Sequence, residues 1–156
     1  MSTKLKARSA ARLSAVQALY QMEVGGADLG DIVAEFESGS LKVPGEDELP
    51  AAEAKFFHDV VTGVVREQRA LDPLVDAALA AGWPLARVEA VLRAILRAGA
   101  YELLHRADVP ARVVVSEYVN VAAAFLDGDE TGMVNAVLEQ IARRARGPEF
   151  QESASG

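Results

Sequence analysis

Apolar positions recur along this chain at helical spacing, and almost no segment alternates as a strand would. Residues 4 to 24 carry Leu13, Val16, Leu19 and Tyr20 three or four apart, in a run of good helix formers that ends at Gly25 and Gly26. A short helix is predicted over 29–38, with Leu29, Ile32, Val33 and Phe36 inward. Residues 39–49, GSLKVPGEDEL, mix Gly, Pro and acids and read as a surface loop. Phe56, Phe57, Val60, Val61, Val64 and Val65 give a long helix over 50–70 a wide apolar face. A separate helix is predicted over 71–81, with Asp72 as its N-cap and Pro73 in its first turn.

The most strongly patterned stretch is WPLARVEAVLRAILRAGAYELLHR, apolar on several sides, with Pro84 at its start and Pro110 beyond its end. Gly99 inside it costs about 1 kcal/mol relative to Ala, so a close helix crossing is expected there. Two more helices are predicted over 110–126 and 130–145, separated by LDGDETG, with Asp129 or Thr131 as the cap. Val113, Val114 and Val115 alone would suit a strand, but no partner strand is present, so helix is preferred. The expected fold is all-α, a single bundle of about seven helices over 1–146, with a C-terminal tail over 147–156 outside the packed part.

Composition narrows the function. The chain has 156 residues, is 51% hydrophobic and 25% charged, and has no cysteine. Disulfides, cysteine–zinc sites and thiol nucleophiles are excluded. No apolar run has the length to cross a bilayer and the first residues lack a signal-peptide core, so a cytoplasmic protein is expected. The net charge is −7, yet the first acid is Glu23, and Lys4, Lys6, Arg8 and Arg12 precede it. The remaining 12 basic and 23 acidic side chains leave −11. A basic end is thus set against an acidic body, although a short basic tract can equally be a solvated terminus. Lys4, Arg8 and Arg12, four apart, form a stripe beside the apolar face, and small Ser9 and Ala10 leave it little shielded.

Catalytic patterns are missing. His58 and His105 stand alone, and no metal-ligand, nucleophile-elbow, Walker or dinucleotide-binding spacing occurs. Asp127, Asp129 and Glu130 resemble part of a calcium loop but lack its remaining ligands. No enzymatic activity and no cofactor are expected. Asn135 falls inside an apolar helix pattern beside Val134 and Val137; if buried it needs hydrogen-bond partners, in the fold or in a ligand. Phe125 precedes a polar loop at a helix end, where an aromatic can stack on an unpaired base or fill the bundle's edge. Met133 reads as core.

Three blocks in order, ARLSAVQALYQME, AILRAGAYELLHRADVPARVVVSEYV and MVNAVLEQIA, resemble the bacterial NusB family of transcription antitermination factors. The likeness runs from about Lys4 to Arg146. It implies an all-helical fold of two three-helix-type subdomains and no catalysis. It also implies joint binding, with the ribosomal protein NusE, of single-stranded boxA-type leader RNA from ribosomal RNA operons. That complex joins RNA polymerase with other Nus factors, and family members occur as monomers or homodimers. Carried over, the resemblance implies RNA contacts at Arg8, Arg12, Tyr20, Arg112, Met133 and Asn135; Lys4 on the basic stripe and Phe125 at its helix end are expected to join them. It implies partner contacts at Glu89 and Leu92. Departures are visible: Ser9 and Ala10 stand where arginines are frequent, Gly132, Met133 and Ala136 alter the KFVNG-like segment, and Leu92 replaces an acid. Those at Ser9, Ala10, Gly132 and Met133 keep open a second reading, a helical module that binds NusE-like partners with weak or no specific RNA binding. A third, the RNA-recognition domain of a cytosine methyltransferase, would need a catalytic Cys and a further domain.

Overall fold

The computed structural model describes residues 3–37, 51–79, 88–126 and 130–150, with the backbone alone at 3–6, 35–37 and 51–52. Six long helices run in order: α1 Thr3–Gly25, α2 Leu29–Glu37, α3 Ala51–Ala78, α4 Ala90–His105, α5 Ala111–Phe125 and α6 Glu130–Ala145. A helical turn follows at 147–150, and no strand occurs among the described residues. Helix α1 stops where expected, with Gly26 at φ +72°, a conformation only glycine adopts cheaply. The valine run at 113–115 is helical, inside α5.

Helix α4 is the axle. Helices α1 and α3 pack on it and on each other, and α5 and α6 do the same elsewhere on its surface, so two triplets share one helix. Ten of its residues are buried, from Leu92 to Leu103, which only a helix covered on several sides can achieve. Glycines set the closest approaches. A Cβ on Gly99 would lie 2.7 Å from Leu138 Cδ1, so the expected crossing is that of α4 with α6. A Cβ on Gly63 would lie 2.2 Å from Tyr101 Cζ, and α3 meets α4 there. On α1 the buried face is mostly alanine, Ala7, Ala11, Ala15 and Ala18, with Val16 and Leu19, which lets it lie close to its neighbours. Phe56 and Phe57 fill the space opposite; burying such a ring stabilises by roughly 1.5–3 kcal/mol.

Several expectations about the helices are corrected. The predicted helices over 50–70 and 71–81 are one, because α3 passes through Pro73 unbroken. Buried Leu71 and Val75 hold the helix on either side, and Asp72, expected as a cap, binds Arg97 of α4 at 2.8 and 3.0 Å. The residues around the carbonyl that Pro73 leaves unpaired, Arg69 and Ala70, are exposed, where water can take up that bond. Tyr20 and Val65, read as inward, are exposed. Thr131 lies inside the first turn of α6 and is not its cap. The packed part extends past 146, with Phe150 resting on the core. The helix expected from Pro84 begins only at Ala90, after non-helical Val88 and Glu89. The 39–49 loop, Pro84 itself, Asp129 and residues 151–156 lie outside the described residues.

Candidate nucleic-acid interface

Helices α1 and α5 lie side by side and leave a groove of about 850 Å³ between them. Arg8, Arg12 and Leu13 line one wall, and Arg112, Val113 and Glu117 line the other. Further along the same two helices, a hollow of about 360 Å³ is lined by Gln17, Tyr20, Gln21, Val91 and Phe125. Tyr20 is 38% and Phe125 36% exposed, so both rings offer a free face. Residues far apart in sequence, Arg8, Arg12, Tyr20, Arg112 and Phe125, are thereby gathered on one side of the molecule.

The arginine stripe is not what its spacing implied. Arg12 is 1% exposed, because α4 and α5 cover it with acids. Its Nε and Nη2 donate to Glu102 at 2.8 and 3.0 Å, and its Nη1 donates to Glu117 at 2.7 Å. Tyr118 donates its hydroxyl to Glu102, and Ser9 Oγ donates to Glu117 at 2.6 Å. Burial on its own would loosen the Arg12 proton, but the Glu102 hydrogen bond and the surrounding negative charge hold its pKa above the ordinary value. Burial, and then the charge of Glu102, push the Tyr118 hydroxyl well above its ordinary range. Three of its five N–H groups are spent on these carboxylates and the side chain is almost wholly buried, so it offers a phosphate next to no surface; it fastens α1 to α4 and α5.

Arg8 is intermediate. It pairs through two nitrogens with Glu53 of α3, one contact at 3.2 Å, and its guanidinium lies 4.2 Å over the Phe56 ring. Arg12 and Arg106 face that same ring, each at 5.0 Å. Arg106 is in turn held by Asp59 at 3.3 Å and Asp108 at 2.9 Å. A single buried aromatic thus organises three cations, each balanced by a carboxylate. Arg8 keeps 24% of its side chain in solvent. Arg112 is exposed at the start of α5.

The other expected contacts scatter. Lys4 lies in the first turn of α1, where the backbone alone is described. Met133 is half-buried against the core, and Asn135, expected within an apolar face, is exposed on α6; neither lines the groove or the hollow. Glu89 is exposed at the start of α4. Leu92 is 3% exposed and sits with Ile95 and Leu96 in the core, so it has no surface to give a partner.

Sequence reasoning missed the acids that bind the arginines: Glu53, Glu102 and Glu117. Glu102 carried a signal, a lone acid inside the apolar run GAYELL, where a carboxylate must find a cation. Arg146 was also missed; it is buried and bonded to the end of α4. Among the described residues no cluster of His, Asp or Glu has the makings of a metal site, and no helix is long and apolar enough to cross a membrane.

Two triplets around one shared helix, with a basic and aromatic face along α1 and α5, define a class of all-helical protein. The model of the NusB family matches residues 9–143. The transcription antitermination protein NusB of Rhodopseudomonas palustris (strain BisB18) is 69% identical over 149 residues, covering 94% of this chain and 88% of that protein. Its counterpart in Bradyrhizobium diazoefficiens is 67% identical, covering 94% and 90%. Among solved structures, T. maritima NusB superposes with a TM-score of 0.78 at 26% identity, over 92% of this chain and 96% of that one. A structure of the antitermination factors NusB and NusE in complex with dsRNA shares the fold, with a TM-score of 0.74 at 24% identity over 90% and 98%. The chain belongs to the NusB family.

Proposed function

We propose that this chain is a non-enzymatic transcription antitermination factor of the bacterial cytoplasm that binds single-stranded boxA-type leader RNA together with NusE. In that form it joins RNA polymerase and the other Nus factors. The observation that carries the reading is the single α1–α5 face with arginines at one end and two exposed aromatics at the other. Single strands are held by that combination: cations track the phosphates, and aromatic faces take unstacked bases. Arg112, and the exposed part of Arg8, contact phosphate, joined by Lys4 at the start of α1. Tyr20 and Phe125 stack bases. Asn135 adds a polar contact from α6. Arg12 serves the site by holding α1, and Met133 and Leu92 serve it as core. The acidic body, with Glu89 exposed on it, is the surface complementary to a basic ribosomal protein.

One observation favours the narrower reading of a protein-binding module: Arg8 and Arg12 spend much of their charge inside the fold. Titration of a short boxA-type RNA, with and without NusE and at two salt concentrations, decides between them. Tighter binding with NusE and preference over a scrambled RNA support the RNA function, and the salt slope counts the phosphate contacts. NusE binding to which RNA adds nothing specific overturns it in favour of the module.

A further inference from the structure

The wall of the groove that carries Arg112 is built on the turn between α4 and α5, and that turn is held from the far end of the chain. Arg146 follows α6 and is buried. Its Nε donates to the carbonyl of Leu103 at 2.9 Å, and its Nη2 donates to those of Glu102 and Arg106 at 3.0 and 2.7 Å. Its Nη1 donates to the carbonyl of Val109 at 2.5 Å and to Glu149 Oε1 at 3.0 Å. Every N–H of the guanidinium is therefore used. Four of the five go to carbonyls at the C-terminal end of α4 and in the turn, adding to the backbone bonds that Glu102 and Arg106 already accept from the amides of Arg106 and Val109.

Glu149 carries the same clamp across to α5. Helix α5 begins after Pro110, whose side chain makes no capping hydrogen bond. The amide of Ala111 donates instead to Glu149 Oε2 at 2.9 Å. A carboxylate at a helix N-terminus is favoured by the unpaired amides and by the helix dipole. The next residue is Arg112, exposed on the groove.

We infer that Arg146 and Glu149 are positioning residues for RNA binding, clamping the α4–α5 turn and the first turn of α5 so that Arg112 stands at a fixed place on the groove. The inference rests on the RNA function proposed above. Arg146 acts on the turn as a whole, because a planar fork of five donors spans carbonyls that a lysine ammonium cannot reach together. Glu149 acts on one amide, and being 42% exposed it is removable without opening the core.

The test uses the full chain with Glu149→Gln, Arg146→Lys, Arg112→Ala and the double variant Arg112→Ala/Glu149→Gln. Hydrogen exchange at the Ala111 amide and titration of boxA-type RNA at two salt concentrations are both read. Glu149→Gln is expected to speed Ala111 exchange about tenfold, the loss of one charged hydrogen bond. It is expected to weaken RNA binding several-fold and to lower the salt slope by about one, the signature of a displaced phosphate contact. Arg146→Lys is expected to do the same more strongly. In the Arg112→Ala background Glu149→Gln is expected to change RNA affinity no further, since the pair act through one contact. An unchanged affinity for Glu149→Gln, or the same fold-loss with and without Arg112, overturns the inference. If the unaltered protein fails to bind the RNA, the RNA function itself falls; the exchange data then still decide whether the clamp holds the turn, so the two failures are told apart.

Discussion

The two ends of the α1–α5 face use their side chains in opposite ways. At the Arg12 end, Arg8 and Arg12 are paired with Glu53, Glu102 and Glu117, and their positive charge is largely consumed by the fold. At the Tyr20 end, two rings line a hollow whose other linings are Val91 and two glutamines, with much of their surface in water. Residue type alone assigns both ends to the surface of a binding site. Partnering separates them: a group whose hydrogen bonds are complete within the protein shapes a site, and a group with a free face touches what binds there.

That contrast is broken or sharpened by substitutions. The largest effect is expected at the buried arginine. Arg12→Ala strands Glu102 without its cation and should cost about 3–5 kcal/mol. Thermal melting should fall by ~10 °C for a chain of this size. In the fraction that stays folded, the salt slope of RNA binding should be unchanged; a slope lower by one would return Arg12 to the phosphate contacts. Next comes Arg8→Ala. It leaves the buried Glu53 unpaired and uncovers Phe56, for about 2–3 kcal/mol of stability. Its partial exposure predicts in addition a slope lower by about one.

At the other end the pattern reverses. Tyr20→Ala and Phe125→Ala should each weaken RNA binding by about 1–3 kcal/mol, the worth of a stacked base. Melting should barely move, because each ring is already over a third exposed. A large melting shift with intact RNA affinity would make these rings structural and erase the distinction between the two ends.

The smallest effect is on pH. The Ala111 amide, and then Arg146, hold the Glu149 carboxyl below its ordinary value. The stabilisation is fully present above the ordinary glutamate range and is lost as pH falls through the lowered value. Wild type and Glu149→Gln should therefore differ slightly in melting at neutral pH and converge in acid. A gap that persists in acid would mean that the carboxylate charge is not what holds the turn.

The periodic apolar pattern made the helices legible, because burial on one side repeats every turn whatever the partner. Gly99 was legible as a crossing for the same reason: a glycine in a strong helix has to be explained by a neighbour. Pro73 misled because local steric rules are blind to Leu71, Val75 and the Asp72–Arg97 pair, which keep α3 running. Arg12 misled because its partners, Glu102 and Glu117, lie 90 and 105 residues away. Such pairing leaves no periodic trace. Leu92 followed family position, whereas its own side chain, apolar and in step with Ile95 and Leu96, pointed to the core. Arg146 and Glu149 carried no signal beyond a charged C-terminus.

The sharing of α4 also bears on how the protein is made. A ribosome delivers α1, α3 and α4 before α5 and α6 exist. The first triplet can assemble on the emerging chain, but the notch at Gly99 then waits without Leu138, and Arg12 holds Glu102 without Glu117. A nascent chain halted before α6 exposes the oily flank of its own central helix, which is the condition chaperones recognise. Arrival of α6 and its Arg146 clamp is therefore the step that covers this flank.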